Sequence, residues 1–233
     1  MSTVYLIPTV LATGALETIP AYVLTAVKNC RVIFAENERT ARRFLKALDR
    51  TIVIDDFEWF SIAKDEEGQE IIFKQKIKEG SAIAIISEAG CPGIADPGQK
   101  LVAIAHEMRA AVKPLVGPSS ILLSLMASGM NGQQFEFVGY LPIENLQRNQ
   151  RIQELQAASK KNNSTKIFIE TPYRNNQLLE AILKICDSQT MLCIASNLSD
   201  SNEKIITLSV KDWKNKKSEL HKQPVIFLLY AGT

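Results

Sequence analysis

The sequence predicts an α/β protein of two α/β domains, the first on a mostly parallel sheet and the second on a mixed one. Two observations predict it. Short β-branched runs alternate with amphipathic segments through the first half, which is the pattern of βαβ units. A small-residue turn followed by polar composition then separates that half from the next near Val116, giving expected domains 1–116 and 117–233. A chain of 233 residues that is 46% hydrophobic and 22% charged has the length for one to two domains of about 150 residues and the composition to bury a core.

Residues 4–7 make the first strand. Ile19, Tyr22, Val23, Ala26 and Val27 then recur at helical spacing behind Thr18 and Pro20, which supply a helix start. A strand at 32–35, a helix at 39–48, a strand at 51–54 and a helix at 70–78 follow, and Gly80 suits the left-handed position that closes that helix. The run at 82–86 is apolar on both faces, so it belongs in the middle of the sheet. An apolar helix at 121–126 opens the second half. Strands are expected there at 136–140, 166–170, 191–195, 204–209 and 225–230, with long helices at 144–161 and 175–186. A short Lys-rich helix containing Trp213 sits between the last two strands, which makes that sheet mixed. The tract from Lys160 to Ser164 reads as a solvated loop.

The charge sum, 27 basic minus 25 acidic, is +2, which excludes a polybasic nucleic-acid coat and an acidic tail. Any nucleic-acid partner is therefore held locally. Cys30, Cys91, Cys186 and Cys193 form no CxxC pair and His106 and His221 lie far apart, so no metal is expected. The first apolar stretch is broken by Pro8 and is far shorter than the roughly 20 residues of a membrane span. A soluble, cytoplasmic protein with reduced thiols is the expectation.

Open α/β sheets bind ligands at the carboxyl ends of their strands, so the loops after strands hold the candidate site. The loop from Pro8 to Gly14 has neither GxGxxG nor GxxxxGK[ST]. The loop from Ser87 to Gly98 packs three glycines and two prolines into twelve residues and exposes backbone groups to a small molecule; within it, Asp96 either faces the ligand or caps a helix beginning at Pro97. Ser119 and Ser120 open a helix whose free N–H groups suit a carboxylate or an adenine edge. The strand end from Phe168 to Arg174 brings together Glu170, Thr171, Tyr173 and Arg174.

Those loops, in that order, resemble the tetrapyrrole methylase superfamily of S-adenosylmethionine-dependent methyltransferases, in particular its branch of ribosomal small-subunit RNA cytidine 2′-O-methyltransferases. The resemblance rests on Tyr5-Leu-Ile-Pro-Thr9, Ala35-Glu-Asn-Glu-Arg39, Ile86-Ser-Glu-Ala-Gly-Cys-Pro92 with Asp96-Pro-Gly98, Gly117-Pro-Ser119, Phe137-Val-Gly-Tyr-Leu-Pro142 and Ile169-Glu-Thr-Pro-Tyr-Arg174. It implies S-adenosylmethionine in a cleft between the two domains, and a homodimer acting on ribosomal RNA or the small ribosomal subunit. The cofactor residues it implies are Pro8, Gly90, Cys91, Pro92, Ile94, Ser119, Ser120, Glu170, Thr171, Asn197 and Val225. Three family segments differ here: Pro8-Thr9 runs into Val10, Leu11 and Ala12, residues 54–61 contain no histidine, and Asn197-Leu-Ser-Asp200 stands for Glu-Leu-Thr-Lys.

Methyl transfer is an in-line displacement governed by positioning, and a ribose hydroxyl benefits from a base. Candidate bases or orienting groups are Glu36, Asp96 and Glu170; each is alternatively a cap or half of an ion pair. Arg39, Tyr173 and Arg174 are the candidate substrate contacts, the arginines holding a phosphate through paired N–H donors. Phe57, Trp59 and Phe60 are either a base-stacking surface or packing. A different acceptor, a tetrapyrrole ring or a protein side chain, stays open, as does a noncatalytic cofactor-binding homologue.

Overall fold

Strands alternate with helices along the first of two compact units, Met1–Ser119 and Ser120–Thr233, in a computed structural model that describes residues 2–62 and 66–232. The order is β1 (Thr3–Ile7), α1 (Tyr22–Asn29), β2 (Val32–Ala35), α2 (Glu38–Leu48), β3 (Glu58–Ser61), α3 (Glu66–Lys78), β4 (Ala82–Ile86), α4 (Gln99–Glu107) and β5 (Ala111–Pro114). The sheet order is β3-β2-β4-β1-β5 and every pairing is parallel. β4 is central, as its two-sided apolar run demands. Alternation along it sends Ala84 and Ile86 to the face covered by α1 and α2, and Ile83 and Ile85 to the face covered by α3 and α4.

Local chemistry sets the ends of these elements. Asn37 Oδ1 accepts from the backbone N–H of Arg39 at 3.0 Å and Thr40 at 3.4 Å, starting α2. Asn37→Ala is expected to cost about 1 kcal/mol, read as a lower urea midpoint at unchanged slope. Gly80, at φ +78°, closes α3: its N–H bonds Ile77 O, and Ser81 N–H bonds Lys76 O.

Several expectations from the sequence are corrected. α1 begins at Tyr22 behind Ala21, not at Thr18 and Pro20, because residues 16–18 form a separate 3-10 turn in which Thr18 Oγ1 donates to Ala15 O. Residues 51–54 are not a strand. The third strand is β3, where Trp59 and Phe60 supply the aromatic, alternating pattern an edge strand needs. α4 begins at Gln99 with Gly98 (φ +114°) as its N-cap, so Asp96 caps no helix at Pro97. β5, an edge strand ending in Pro114, carries too little apolar pattern to stand out in the sequence.

In the second unit, α5 (Ser120–Ser128) is followed by β6 (Phe135–Tyr140), α6 (Asn145–Asn162), β7 (Thr165–Ile169), α7 (Asn175–Ile185), β8 (Met191–Ser196), β9 (Lys204–Ser209), α8 (Val210–Trp213) and β10 (Val225–Tyr230). The sheet order β6-β7-β10-β8-β9 is mixed: β6 and β7 are parallel, and β10 is antiparallel to both β7 and β8. Phe168 stacks on Phe227 at 5.9 Å, and buried Trp213 donates its indole N–H to Leu192 O at 2.8 Å. The tract at Lys160 is the last turn of α6, ended by Asn163 at φ +49°, with Ser164 buried, rather than a solvated loop. No helix among the described residues is long and apolar enough to cross a membrane.

Candidate functional site

The first unit places its ligand loops where its chain connections diverge. The helices that follow β1 and β2 pack on one face of the sheet and the helix that follows β4 packs on the other. The carboxyl end of β4 therefore opens a crevice beside each neighbouring strand. Thr9, just past β1, bridges this crevice: its N–H donates to Gly90 O at 2.9 Å and its carbonyl accepts from Gly90 N–H at 3.3 Å. Nothing in the sequence marks Thr9 for this beyond its place after Pro8.

Gly90 and Gly117 hold these loops close. Gly90 lies at φ +77°, and a Cβ there would come within 3.3 Å of Leu11 Cδ2 and 3.4 Å of Pro118 O. A Cβ at Gly117 would fall inside the Pro8 ring, 2.5 Å from its Cγ. The proline ring is not the far end of a flexible side chain, so Gly117→Ala is expected to displace the first loop at a cost of about 1–3 kcal/mol. A thermal melt reads that cost; an unchanged melting temperature would contradict it.

Cys91 Sγ donates to Pro118 O at 3.4 Å. Burial first, and Asp96 second, push its thiol pKa up, which disfavours the thiolate. Pro92 is buried, whereas Ile94 is half exposed. Ser119 and Ser120, at the opening of α5, are half buried.

The carboxylates named from the sequence separate into distinct roles. Glu36, at the end of β2, accepts from Glu88 N–H at 2.8 Å, and Asn37 Nδ2 donates to Glu88 Oε1 at 3.3 Å, so β2 holds the loop after β4 in place. Sequence reasoning misses Asn37 and Glu88, although Asn before Glu-Arg is a readable cap signal. Asp96 is half buried, and its carboxyl is pushed up to about 6, first by burial, then by the Glu36 charge, against the neighbouring Ser87 hydroxyl and with a further push from Glu88. A hollow of about 150 Å³ lined by Asp96, Gln69, Glu70 and Ile62 opens beside it.

Phe57, Trp59 and Phe60 do not form one stacking surface. Strand alternation puts Trp59 with Phe57 against the α1/α2 face, and Phe60 on Phe34 at 5.0 Å on the other. Arg42 covers the Trp59 ring at 4.8 Å.

In the second unit, β10 runs antiparallel to β7 and β8, so its first residue, Val225, lies at their carboxyl ends, opposite Ser196. Glu170 there is fully buried at its side chain. Its Oε1 accepts from Thr171 N–H at 2.7 Å, Arg174 Nε at 3.0 Å and Arg174 Nη2 at 2.6 Å. Arg174 Nε also reaches Thr171 Oγ1 at 3.1 Å, so Nε and Nη2 serve this pair while the side chain keeps 23% exposure. Glu170 Oε2 is buried without a partner. Asn197, at φ +51°, donates from Nδ2 to Gln223 Oε1 at 3.1 Å and from its backbone to Pro224 O, and buried Asn175 donates to Leu220 O and Gln223 O. Asn175 and Gln223, which fasten the approach to β10, carry no motif. Tyr173 is 67% exposed and meets His221 edge-on at 5.8 Å. Among the described residues no group of three or more His, Cys, Asp or Glu could hold a metal ion.

A family model for Tetrapyrrole (Corrin/Porphyrin) Methylases matches residues 4–213. Two similar curated proteins are called ribosomal RNA small subunit methyltransferase I. The one from Bacillus subtilis is 30% identical over 93% of this chain and 71% of its own length, and the one from Halalkalibacterium halodurans is 32% identical over 78% of this chain. The chain spans 60% of the latter's length. Among solved structures, the methyltransferase CobJ superposes with a TM-score of 0.64 at 16% identity, covering 98% of this chain and 93% of that one. Uroporphyrin-III C-methyl transferase from Thermus thermophilus, solved with S-adenosyl homocysteine, gives 0.59 at 14% identity, covering 99% and 97%.

Proposed function

This chain belongs to the tetrapyrrole (corrin/porphyrin) methylases, and on that premise we propose that it is a cytoplasmic S-adenosylmethionine-dependent methyltransferase acting on a ribose 2′-hydroxyl of small-subunit ribosomal RNA. The observation that carries the reading is the divergence of connections around β4. Two loops bridged through Thr9 and Gly90 present backbone groups and small residues there rather than a charged pocket. The names of the curated relatives favour RNA over a macrocycle as acceptor.

The residues fit the cofactor. Its amino groups are donors, and the buried, unpartnered Glu170 Oε2 is an acceptor; its carboxylate suits the N–H groups at Ser119 and Ser120. The other residues the family resemblance assigns to the cofactor are Pro8, Gly90, Cys91, Pro92 and Ile94 in the first unit and Thr171, Asn197 and Val225 in the second. When bound, S-adenosylmethionine would supply an electrophilic methyl carbon on its sulfonium. Asp96, with its carboxyl near 6, takes the hydroxyl proton. Glu36 holds the loop that carries Asp96, Arg39 orients a backbone phosphate, and Tyr173 contacts the nucleotide. Arg174 fixes Glu170 through Nε and Nη2 and contacts a phosphate with its remaining N–H donors. The active form is a homodimer, for which α5 offers Leu122 and Met126, 50% and 79% exposed, as an apolar face.

Calorimetric titration with S-adenosylmethionine, followed by transfer of labelled methyl to naked small-subunit RNA and to intact subunits, tests the reading. Cofactor binding with label in alkali-resistant dinucleotides is expected. Cofactor binding without RNA labelling would move the acceptor to a tetrapyrrole or a protein, and no binding at millimolar cofactor would end the methyltransferase reading.

A further inference from the structure

The outer face of α2 carries a row of cations that no acid neutralises. At about 100° per residue, Arg39, Arg43 and Lys46 fall within an arc of about 60°, opposite the buried Ala41, Phe44 and Leu45. Arg50, two residues past the helix, continues the row. All four are exposed. The two acids that bound α2 are already engaged: Glu38 pairs with Arg42 at 3.1 Å and Asp49 with Lys28 at 2.7 Å. Lys46 donates to Arg50 O, which spends none of its charge. Among the described residues, none of these four cations makes an ion pair with a carboxylate.

These four positive charges lie along one strip, about 16 Å long at about 1.5 Å per residue. A shallow depression of about 470 Å³ lined by Glu38, Arg39, Arg42 and Arg43 lies along it. The strip starts at Arg39, three residues beyond Glu36 at the carboxyl end of β2, on the side where the loops around β4 open.

We infer that the outer face of α2, through Arg39, Arg43, Lys46 and Arg50, is a docking strip for consecutive backbone phosphates of the RNA acceptor. This rests on the RNA reading above and extends it from one arginine to a surface. Charge complementarity selects the occupant: a line of evenly exposed guanidinium and ammonium groups with no apolar anchor among them suits a polyanion read by its backbone. Arg42, stacked on Trp59 and paired with Glu38, belongs to the fold rather than to the strip.

The test measures binding of a fluorescein-labelled single-stranded RNA of mixed sequence, and of naked small-subunit RNA, across a salt series. Arg39→Gln/Arg43→Gln/Arg50→Gln should weaken binding about tenfold or more at low salt. It should also reduce the slope of log K against log salt by about 2, roughly 0.7 for each phosphate that is no longer neutralised. Arg43→Gln alone should remove about a third of that slope change. Cofactor affinity by calorimetry should not change. Lys160→Gln/Lys161→Gln, which removes exposed charge from α6, should leave both affinity and slope near the unsubstituted values. If the unsubstituted protein binds RNA and the triple variant binds it with the same affinity and slope, the strip serves another partner, such as an acidic protein, and this inference is overturned while the RNA reading stands. If the unsubstituted protein binds neither RNA at low salt, both fall.

Discussion

Glu170→Ala is expected to lower the unfolding free energy by about 3 kcal/mol, the low end of the range for breaking a buried ion pair, and to weaken cofactor binding. The carboxylate is fully buried while the Arg174 side chain keeps 23% exposure, so the orphaned guanidinium recovers part of its hydration. The variant also strands Thr171 N–H, an unpaired donor worth about 1–3 kcal/mol when buried, whereas Arg174 Nε–H keeps Thr171 Oγ1. Glu170→Ala/Arg174→Met removes both charges and should recover much of the loss, because the cost lies in the unpaired survivor rather than in the pair. Urea titrations of the two variants read this directly. Equal stability of the single and double variants would contradict it. Cofactor affinity distinguishes the second role of Glu170: the double variant recovers stability but lacks Oε2, so its affinity should stay low.

What the sequence disclosed of this protein was whatever a local pattern encodes. β4 was legible because a strand buried on both faces must be apolar at every position, and Gly80 because a helix ending in the left-handed region favours glycine. β3 was misplaced by seven residues: 51–54 and 58–61 are both β-prone, and the choice between them is made by pairing with β2 at the sheet edge, a nonlocal fact. The turns of the candidate loops were legible, since glycine and proline punctuate them. What holds each loop in place was not. Thr9 bonded to Gly90, Glu36 bonded to Glu88 N–H, and Asn175 bonded to the chain before β10 join residues from 45 to 81 positions apart. Such partners leave no periodic trace. For the same reason the sequence carries no sign of the ion pair between Arg174 and Glu170, four residues back.

The three candidate carboxylates are also separated only by their surroundings, and Asp96→Asn is the substitution that exploits the separation. Glu170 is held by an arginine and Glu36 by a backbone N–H, whereas the half-buried Asp96 carboxyl is pushed up to about 6 from 3.8. The folded protein therefore keeps a proton on Asp96 that the unfolded chain releases. This group's contribution to stability is intact below about pH 4 and is lost as pH rises through about 6. Asp96→Asn abolishes the titration, so the variant should be no more stable than the unsubstituted protein at pH 3.5 and more stable at pH 8. Two units of unscreened shift would be about 3 kcal/mol, but a half-exposed carboxyl is screened by water, leaving a gain of about 1 kcal/mol. Activity should move the other way. Loss of a base that takes the acceptor proton costs at least about 100-fold in kcat, and the rise of the unsubstituted rate through about pH 6 should vanish with it. A variant that gains stability at pH 8 and keeps its kcat would leave Asp96 as a strained surface carboxylate and return the proton to another group. A variant that loses kcat and gains stability would show a native structure that gives up stability at Asp96 in order to hold a proton acceptor near neutrality.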